Sequence, residues 1–242
     1  MRKYSAVLFD LFDTIVMFEP SLLPEVTING EVRNSTAGHV FTKMRSSLGG
    51  MEFSDFYTPF VESYTELLEL RKKDLREHPN RKRFEIFLEK TGINGCHDLP
   101  DRFVRSHMES LCGAVVYPEH HTEVLSSLRE KGYRLSLVSN FDHAPTVREL
   151  LEKFGIADFF ENVVISEEVG WRKPHRKIFE FALAKLNESP QNVIFIGDNP
   201  EADIKGSSEL GIDSVWVRRK EQLTPEKPKF IIKDLKELRK II

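Results

Sequence analysis

Two rhythms of apolar and polar positions divide this chain. Ala6-Val7-Leu8-Phe9 is an unbroken apolar run, preceded by polar residues and followed at once by Asp10, Asp13 and Thr14. A short run without alternation suits a strand buried on both faces of a parallel sheet. The same signature returns after Val115, where apolar runs at 135–138, 162–165, 192–196, 214–217 and 230–232 read as strands. Helical patterns at 119–131, 145–154, 174–186, 201–210 and 235–238 separate or follow them, with Pro174 suited to a first helical turn and Gly211 to a helix stop. This alternation predicts an α/β fold with a Rossmann-like, doubly wound parallel sheet.

Between residues 18 and 114 the helical period takes over. Residues 25–33, broken by Asn29-Gly30, read as a small hairpin, because Asn-Gly suits the positive φ angles of a type I′ turn. Four helical patterns follow. The first is capped by Asn34, Ser35 and Thr36 and stopped by Gly49-Gly50; the second runs from Ser54 through Phe56, Phe60, Tyr64 and Leu67 towards His78-Pro79. A third lies around Phe84 and Phe87 and stops at Gly92, and a fourth around Phe103, Val104, His107 and Leu111. The expected organisation is an α/β core from residues 1–17 and 115–242, with a mainly helical cap inserted over 18–114.

Composition narrows the class. The 242 residues are 40% hydrophobic, enough for a sizeable core. With 35 Lys and Arg against 38 Asp and Glu, the net charge of −3 excludes a global basic field for nucleic acid. The clusters Arg71-Lys72-Lys73, Arg81-Lys82-Arg83 and Arg218-Arg219-Lys220 read as solvated surfaces. Cys96 and Cys112 have neither metal-ligand spacing nor a disulfide framework. Met1-Arg2-Lys3 leads into no signal-peptide core, and no apolar run is long enough to span a bilayer. A cytoplasmic protein without membrane or nucleic-acid partners is expected.

Chemistry enters at the strand ends. Asp10 closes the first strand, Ser139-Asn140 the next, and Gly197-Asp198 a later one, with Asp203 five positions on; Lys173 precedes the helix after another. Carboxyl ends of parallel strands share one edge, where ligands bind in open α/β sheets. Taken singly, each residue also suits a cap, a turn or a surface charge. Together, a carboxylate nucleophile, further acids for a hard cation, and a hydroxyl and ammonium for phosphoryl oxygens form a coherent set. No G-x-S-x-G, P-loop, G-x-G-x-x-G or H-E-x-x-H motif competes. The adjacent pair His120-His121 reads as a cap or surface feature of a helix start.

These residues resemble the four motifs of the haloacid dehalogenase-like hydrolase superfamily, in family order from Asp10 to Asp203. Asp10-Leu11-Phe12-Asp13-Thr14 stands for D-x-D-x-T, the strand ending at Ser139 for the second motif, Lys173 for the third, and Asp198 with Asp203 for the acidic pair. The resemblance implies a Mg²⁺-dependent phosphohydrolase of small phosphorylated metabolites, working through an aspartyl-phosphate. In that reading Asp10 is nucleophile and metal ligand, and the Phe12 backbone carbonyl and Asp198 are further ligands, with Asp203 binding directly or through water. Ser139, Asn140 and Lys173 would hold the phosphoryl group.

One position departs from the family pattern. The second Asp of the motif, usually the general acid and base, is Phe12, and Asp13 takes the place of the usual Gly. Thr14 keeps its spacing from Asp10, so the register is fixed and the acid–base role does not pass to Asp13. Two alternatives follow: a binding or regulatory protein with little turnover, and a metal-independent haloacid dehalogenase, whose motifs the aromatic residue and Ser139-Asn140 resemble.

Overall fold

The computed structural model describes residues 3–219 and 227–242; Met1-Arg2 and Lys220, the last residue of the third basic cluster, lie outside them. The chain forms two compact units, Met1–Met17 with Tyr117–Ile242, and Phe18–Val116. The chain returns after Val116, two residues later than the sequence pattern indicates, because 115–116 form a short strand of their own. The first strand, β1 (Ala6–Phe9), is buried along its whole length.

Next in the chain, β2 (Met17–Phe18) leads to the second unit's hairpin of β3 (Glu25–Ile28) and β4 (Glu31–Asn34). Asn29 and Gly30 sit at φ 52° and 82°, as a type I′ turn requires. Helices α1 (Ala37–Lys43), α2 (Phe53–Asp74), α3 (Asn80–Thr91) and α4 (Leu99–Gly113) follow, and β5 (Val115–Val116) pairs with β2. The first helix is shorter than expected, tightening into a 3-10 turn at Arg45–Ser47. The second ends early, at left-handed Leu75, because the buried Arg71 pairs with Glu77 at 2.9 Å and donates to the His78 carbonyl at 2.8 Å, turning the chain back. Arg71 and Arg83, expected on solvated surfaces, are therefore core residues: the Arg83 guanidinium lies 4.3 Å from the centre of the Phe60 ring. Phe56, Phe60, Phe84, Phe87 and Phe103 form the aromatic centre that their helical spacing foretells, with Phe84 stacked on Phe103.

The α/β unit continues with α5 (His120–Glu130), β6 (Arg134–Ser139), α6 (Ala144–Lys153), β7 (Asn162–Ile165), α7 (Ser166–Val169), α8 (Arg176–Leu186) and β8 (Val193–Gly197). A π-helical turn, Pro200–Lys205, precedes the short α9 (Gly206–Ser208), and β9 (Asp213–Val217), β10 (Phe230–Ile232) and a 3-10 segment, Leu235–Lys240, complete it. All six sheet strands are parallel, in the order β10-β9-β8-β1-β6-β7. The chain thus works outward from β1 on one side and then from β8 on the other, so β1 and β8 flank the point where the winding reverses. On one face Ala6, Leu8 and Phe195 pack against Ile178, Phe179, Ala182 and Leu186 of α8. Pro174 lies before that helix rather than in its first turn; His175 is the cap, accepting from the Lys177 N–H at 3.2 Å. The expected helix over 201–210 is mostly the π-helical turn, which carries Asp203.

An ionic knot ties β9 to the chain before β1 and before β10. The Asp213 carboxylate accepts from Lys3 at 2.5 Å, Lys229 at 2.7 Å and the Tyr4 hydroxyl at 2.7 Å. Burial works against its charge, but these three donors outweigh it and hold its pKa well below the ordinary carboxylate value. The depressed folded-state pKa contributes stability that is present above the unfolded value and fades as pH falls below it. Because the carboxylate is about a third exposed, Asp213→Asn should cost only about 1 kcal/mol at neutral pH. The difference between the wild-type and variant denaturation curves should shrink as pH falls below the unfolded carboxylate value and vanish only as it passes through the depressed folded-state one; an undiminished difference throughout acid would show that packing, not charge, is lost.

Candidate active site

The carboxyl ends of β1, β6 and β8 bring the expected groups together. Asp10 follows β1, held by its N–H on the Ile196 carbonyl at 2.9 Å. Ser139 ends β6, and Asp198 follows β8. Lys173, in the loop before α8, is only 3% exposed and extends its ammonium to Asp10 Oδ1 at 2.6 Å and Asp203 Oδ1 at 2.8 Å, the second an ion pair by distance but off the hydrogen-bond direction. One carboxylate oxygen from each of Asp10, Asp198 and Asp203 lies within 4.8 Å of the others.

Local sequence explains this convergence. Asn199 caps the π-helical turn by accepting from the Glu201 and Ala202 N–H groups at 3.1 and 2.9 Å. In return, the Asn199 N–H donates to Asp203 Oδ2 at 3.0 Å, folding Asp203 back onto the strand end. There a Cβ on residue 197 would overlap the Asp203 carboxylate, so Gly197 is the residue that admits it. The Trp216 indole donates to the Asp198 carbonyl at 2.8 Å and anchors that backbone. Asn140, expected to bind phosphate, has its amide committed elsewhere: it accepts from the Lys173 N–H at 2.7 Å and donates to the Lys173 carbonyl at 2.9 Å. Its side chain positions the lysine.

Three supporting groups escaped the sequence reading. Asn199 and Trp216 act through the contacts above, and Ser166 Oγ accepts from the Phe141 N–H at 2.9 Å, holding the loop after β6. Only the turn-forming character of Asn in Asn199-Pro200 carried a readable signal.

In the turn after β1, Ile15 and Val16 donate to the Leu11 carbonyl, and Asp13 sits at φ 58°. A left-handed residue is needed there, which is why glycine suits the position and why a short Asp can replace it. Phe12 lies half-buried and stacks on Phe141, with ring centres 4.8 Å apart at 18°.

Charge is unbalanced in this pocket. Burial, with repulsion from Asp203, outweighs the neighbouring lysine and raises Asp10 from 3.8 to about 7. Burial and the charges of Asp10, Asp203 and Asp13 raise Asp198 to about 8. Burial opposes the Lys173 charge, yet Asp10 and Asp203 outweigh it and raise its pKa. One ammonium thus faces three carboxylates, and a divalent cation fits the excess of hard oxygen donors. Ser139 Oγ and Thr14 Oγ1 are buried and have no hydrogen-bond partner among the described residues, so their polar capacity is available to a ligand.

Sheet order and strand-end chemistry together define a hydrolase-type α/β site. The sequence profile of the haloacid dehalogenase-like hydrolases matches residues 55–217. A glyceraldehyde 3-phosphate phosphatase of Methanopyrus kandleri is 31% identical over 215 residues, covering 88% of this chain and 84% of that protein. The chain belongs to the haloacid dehalogenase-like hydrolase family. Its fold is shared with a phosphatase of that family from Thermococcus onnurineus (TM-score 0.67, 23% identity, 98% of this chain and 97% of that one). A 2-haloacid dehalogenase from Pseudomonas syringae pv. Tomato shares it too (TM-score 0.73, 19% identity, 98% and 97%). Fold alone does not choose between those two chemistries.

Because raised carboxyl groups must shed protons to bind a cation, affinity for any divalent cation held here, with Mg²⁺ as the probe, should rise with pH. Without the cation, the raised pKa values of Asp10 and Asp198 make the folded state lose stability as pH climbs towards about 8. The gain in Tm on saturating Mg²⁺ should therefore grow between about pH 6 and about pH 8. Calorimetric titration in buffers of different ionisation enthalpy should register proton release, reduced in Asp198→Asn. A pH-independent Tm gain would rule out this charge balance.

Proposed function

We propose that the chain is a Mg²⁺-dependent phosphatase of small phosphorylated metabolites, with Asp10 as nucleophile. The observation that carries this reading is the trio of Asp10, Asp198 and Asp203 around the single ammonium of Lys173. A third carboxylate beside one ammonium leaves an excess of negative charge that a bound cation would balance and a metal-independent reaction would not. The phosphatase name of the Methanopyrus kandleri relative supports the same choice and directs substrate screening to small phosphate monoesters.

Asp10, Asp198 and Asp203, with the Phe12 carbonyl, would hold Mg²⁺, which when bound supplies charge neutralisation at the phosphoryl oxygens. Lys173 neutralises Asp10 in the resting state and offers its ammonium to the phosphoryl group, while Ser139 Oγ donates to another phosphoryl oxygen. The Asp10 carboxylate attacks phosphorus as the ester P–O bond breaks, giving an aspartyl-phosphate and an alkoxide or phenoxide that takes its proton from water. Water then attacks phosphorus, the Asp10 O–P bond breaks, and inorganic phosphate leaves with the carboxylate restored.

Phe12 cannot deliver or take a proton in either step. General acid–base assistance is typically worth about 10²–10⁴-fold, so poor leaving groups should suffer most. Aryl and acyl phosphates should be cleaved much faster than alkyl esters, and Phe12→Asp should narrow the gap in kcat. Asp10→Asn should lower kcat by about 10³-fold or more, because an amide is a poor nucleophile. Full activity of Asp10→Asn would overturn the assignment. Brisk alkyl-phosphate cleavage lost in Asp13→Asn would transfer the proton role to Asp13.

A further inference from the structure

A second cluster of ligand-type side chains lies in the same unit. His120 and His121, at the start of α5, meet Asp234, which precedes the last 3-10 segment; one ligand atom from each lies within 4.8 Å of the others. His120 Nε2 faces both oxygens of Asp234, at 3.1 and 3.2 Å. Contrary to the cap or surface expectation, His121 is only 1% exposed, and its Nδ1 lies 2.9 Å from the Ile15 carbonyl. A carbonyl only accepts, so Nδ1 carries the proton and the lone pair is on Nε2. Among the described residues Nε2 makes no hydrogen bond. Burial first, then the neighbouring charges of His120 and Arg219, lower the His121 pKa, which favours the neutral ring.

Each of these features is one that a metal-binding histidine needs. A neutral ring with Nδ1–H fixed on a backbone carbonyl is the usual outer support of a histidine ligand. Tetrahedral Zn²⁺, with bonds of about 2.0–2.1 Å, places its ligand atoms about 3.3 Å apart; the His120–Asp234 separations already match. Two borderline imidazole nitrogens beside a single carboxylate favour Zn²⁺ over Mg²⁺. The fourth position is open to water, since His120 and Asp234 are partly exposed, at 46% and 26% of their side chains.

We infer that His120, His121 and Asp234 form a binding site for a zinc-type transition-metal ion, separate from the acidic site at Asp10. The ion would join three stretches of chain: the turn after β1 through Ile15, the start of α5, and the C-terminal segment. It opposes the positive charge of Arg219, which bounds the affinity without removing a ligand.

The test uses the full chain in excess Mg²⁺, so that the acidic site is filled, with Zn²⁺ and Co²⁺ as probes. Calorimetry should count one tight equivalent of Zn²⁺. His120→Ala and Asp234→Asn, the latter keeping an oxygen for the Lys236 N–H cap, should each weaken it by about tenfold or more. Co²⁺ should give the intense visible bands of a four- or five-coordinate site in wild type and lose them in His120→Ala. Circular dichroism confirms that each variant is folded, and neither readout depends on phosphatase activity. Zinc binding equal in wild type and His120→Ala, or lost in Asp198→Asn instead, would overturn the inference, as would no Zn²⁺ binding at all.

Discussion

The contact between the Lys173 ammonium and the Asp10 and Asp203 carboxylates is the constraint on which the catalytic unit depends. An isolated charge placed this deep is expensive, and breaking such a pair by removing one partner typically costs about 3–5 kcal/mol. Here the lysine is nearly inaccessible and both acids are buried, so no member is dispensable without exposing the others' desolvation cost. Yet the group is not neutral. Asp198 adds a third carboxylate that the ammonium does not reach in any ion pair among the described residues, and its raised pKa records the excess. A core arranged purely for stability would not keep this imbalance; a site that receives a cation would.

Backbone features hold that imbalance in place. The parallel order puts β1 beside β8, so Asp10 and Asp198 emerge at neighbouring strand ends. Gly197 gives the room that Asp203 needs, the π-helical turn aims Asp203 back at the strand, and Asn199 and Trp216 pin the loop between them. Asn140 grips the Lys173 backbone from the adjoining strand. Each support fixes a main-chain position, and the charged groups inherit their separations from it.

That division explains what was legible in the chain. Unbroken apolar runs marked every strand of the six-stranded sheet, and the carboxyl-end rule pointed Asp10, Ser139, Lys173, Asp198 and Asp203 to one edge. Local patterns were weaker where tertiary contacts decide. Arg71 looked like part of a solvated cluster because a sequence cannot show that Glu77 returns beneath it. His121 looked like a cap because its partner, the Ile15 carbonyl, is 106 positions away. The π-helical turn carries the same residues as a helix, and only the approach of Asp203 to Gly197 reveals the difference. Asn140 illustrates a finer failure: strand-end position was read correctly, but the direction of its amide was not a property of the sequence.

The turn after β1 shows how a departure from a family pattern is accommodated physically. Asp13 occupies a left-handed conformation that costs a residue with a Cβ roughly 1–2 kcal/mol relative to glycine. Phe12, beside it, recovers about 0.5–1.5 kcal/mol through its stack on Phe141. The stack thus offsets part of that cost within the same turn. What the exchange removes is a titratable group two residues after Asp10, and what it adds is an apolar ring there. Compensation of this kind preserves the fold and the acidic cluster while changing which protons the site can move. Under the proposed mechanism, the loss falls on the proton steps of turnover and not on the stability of the scaffold.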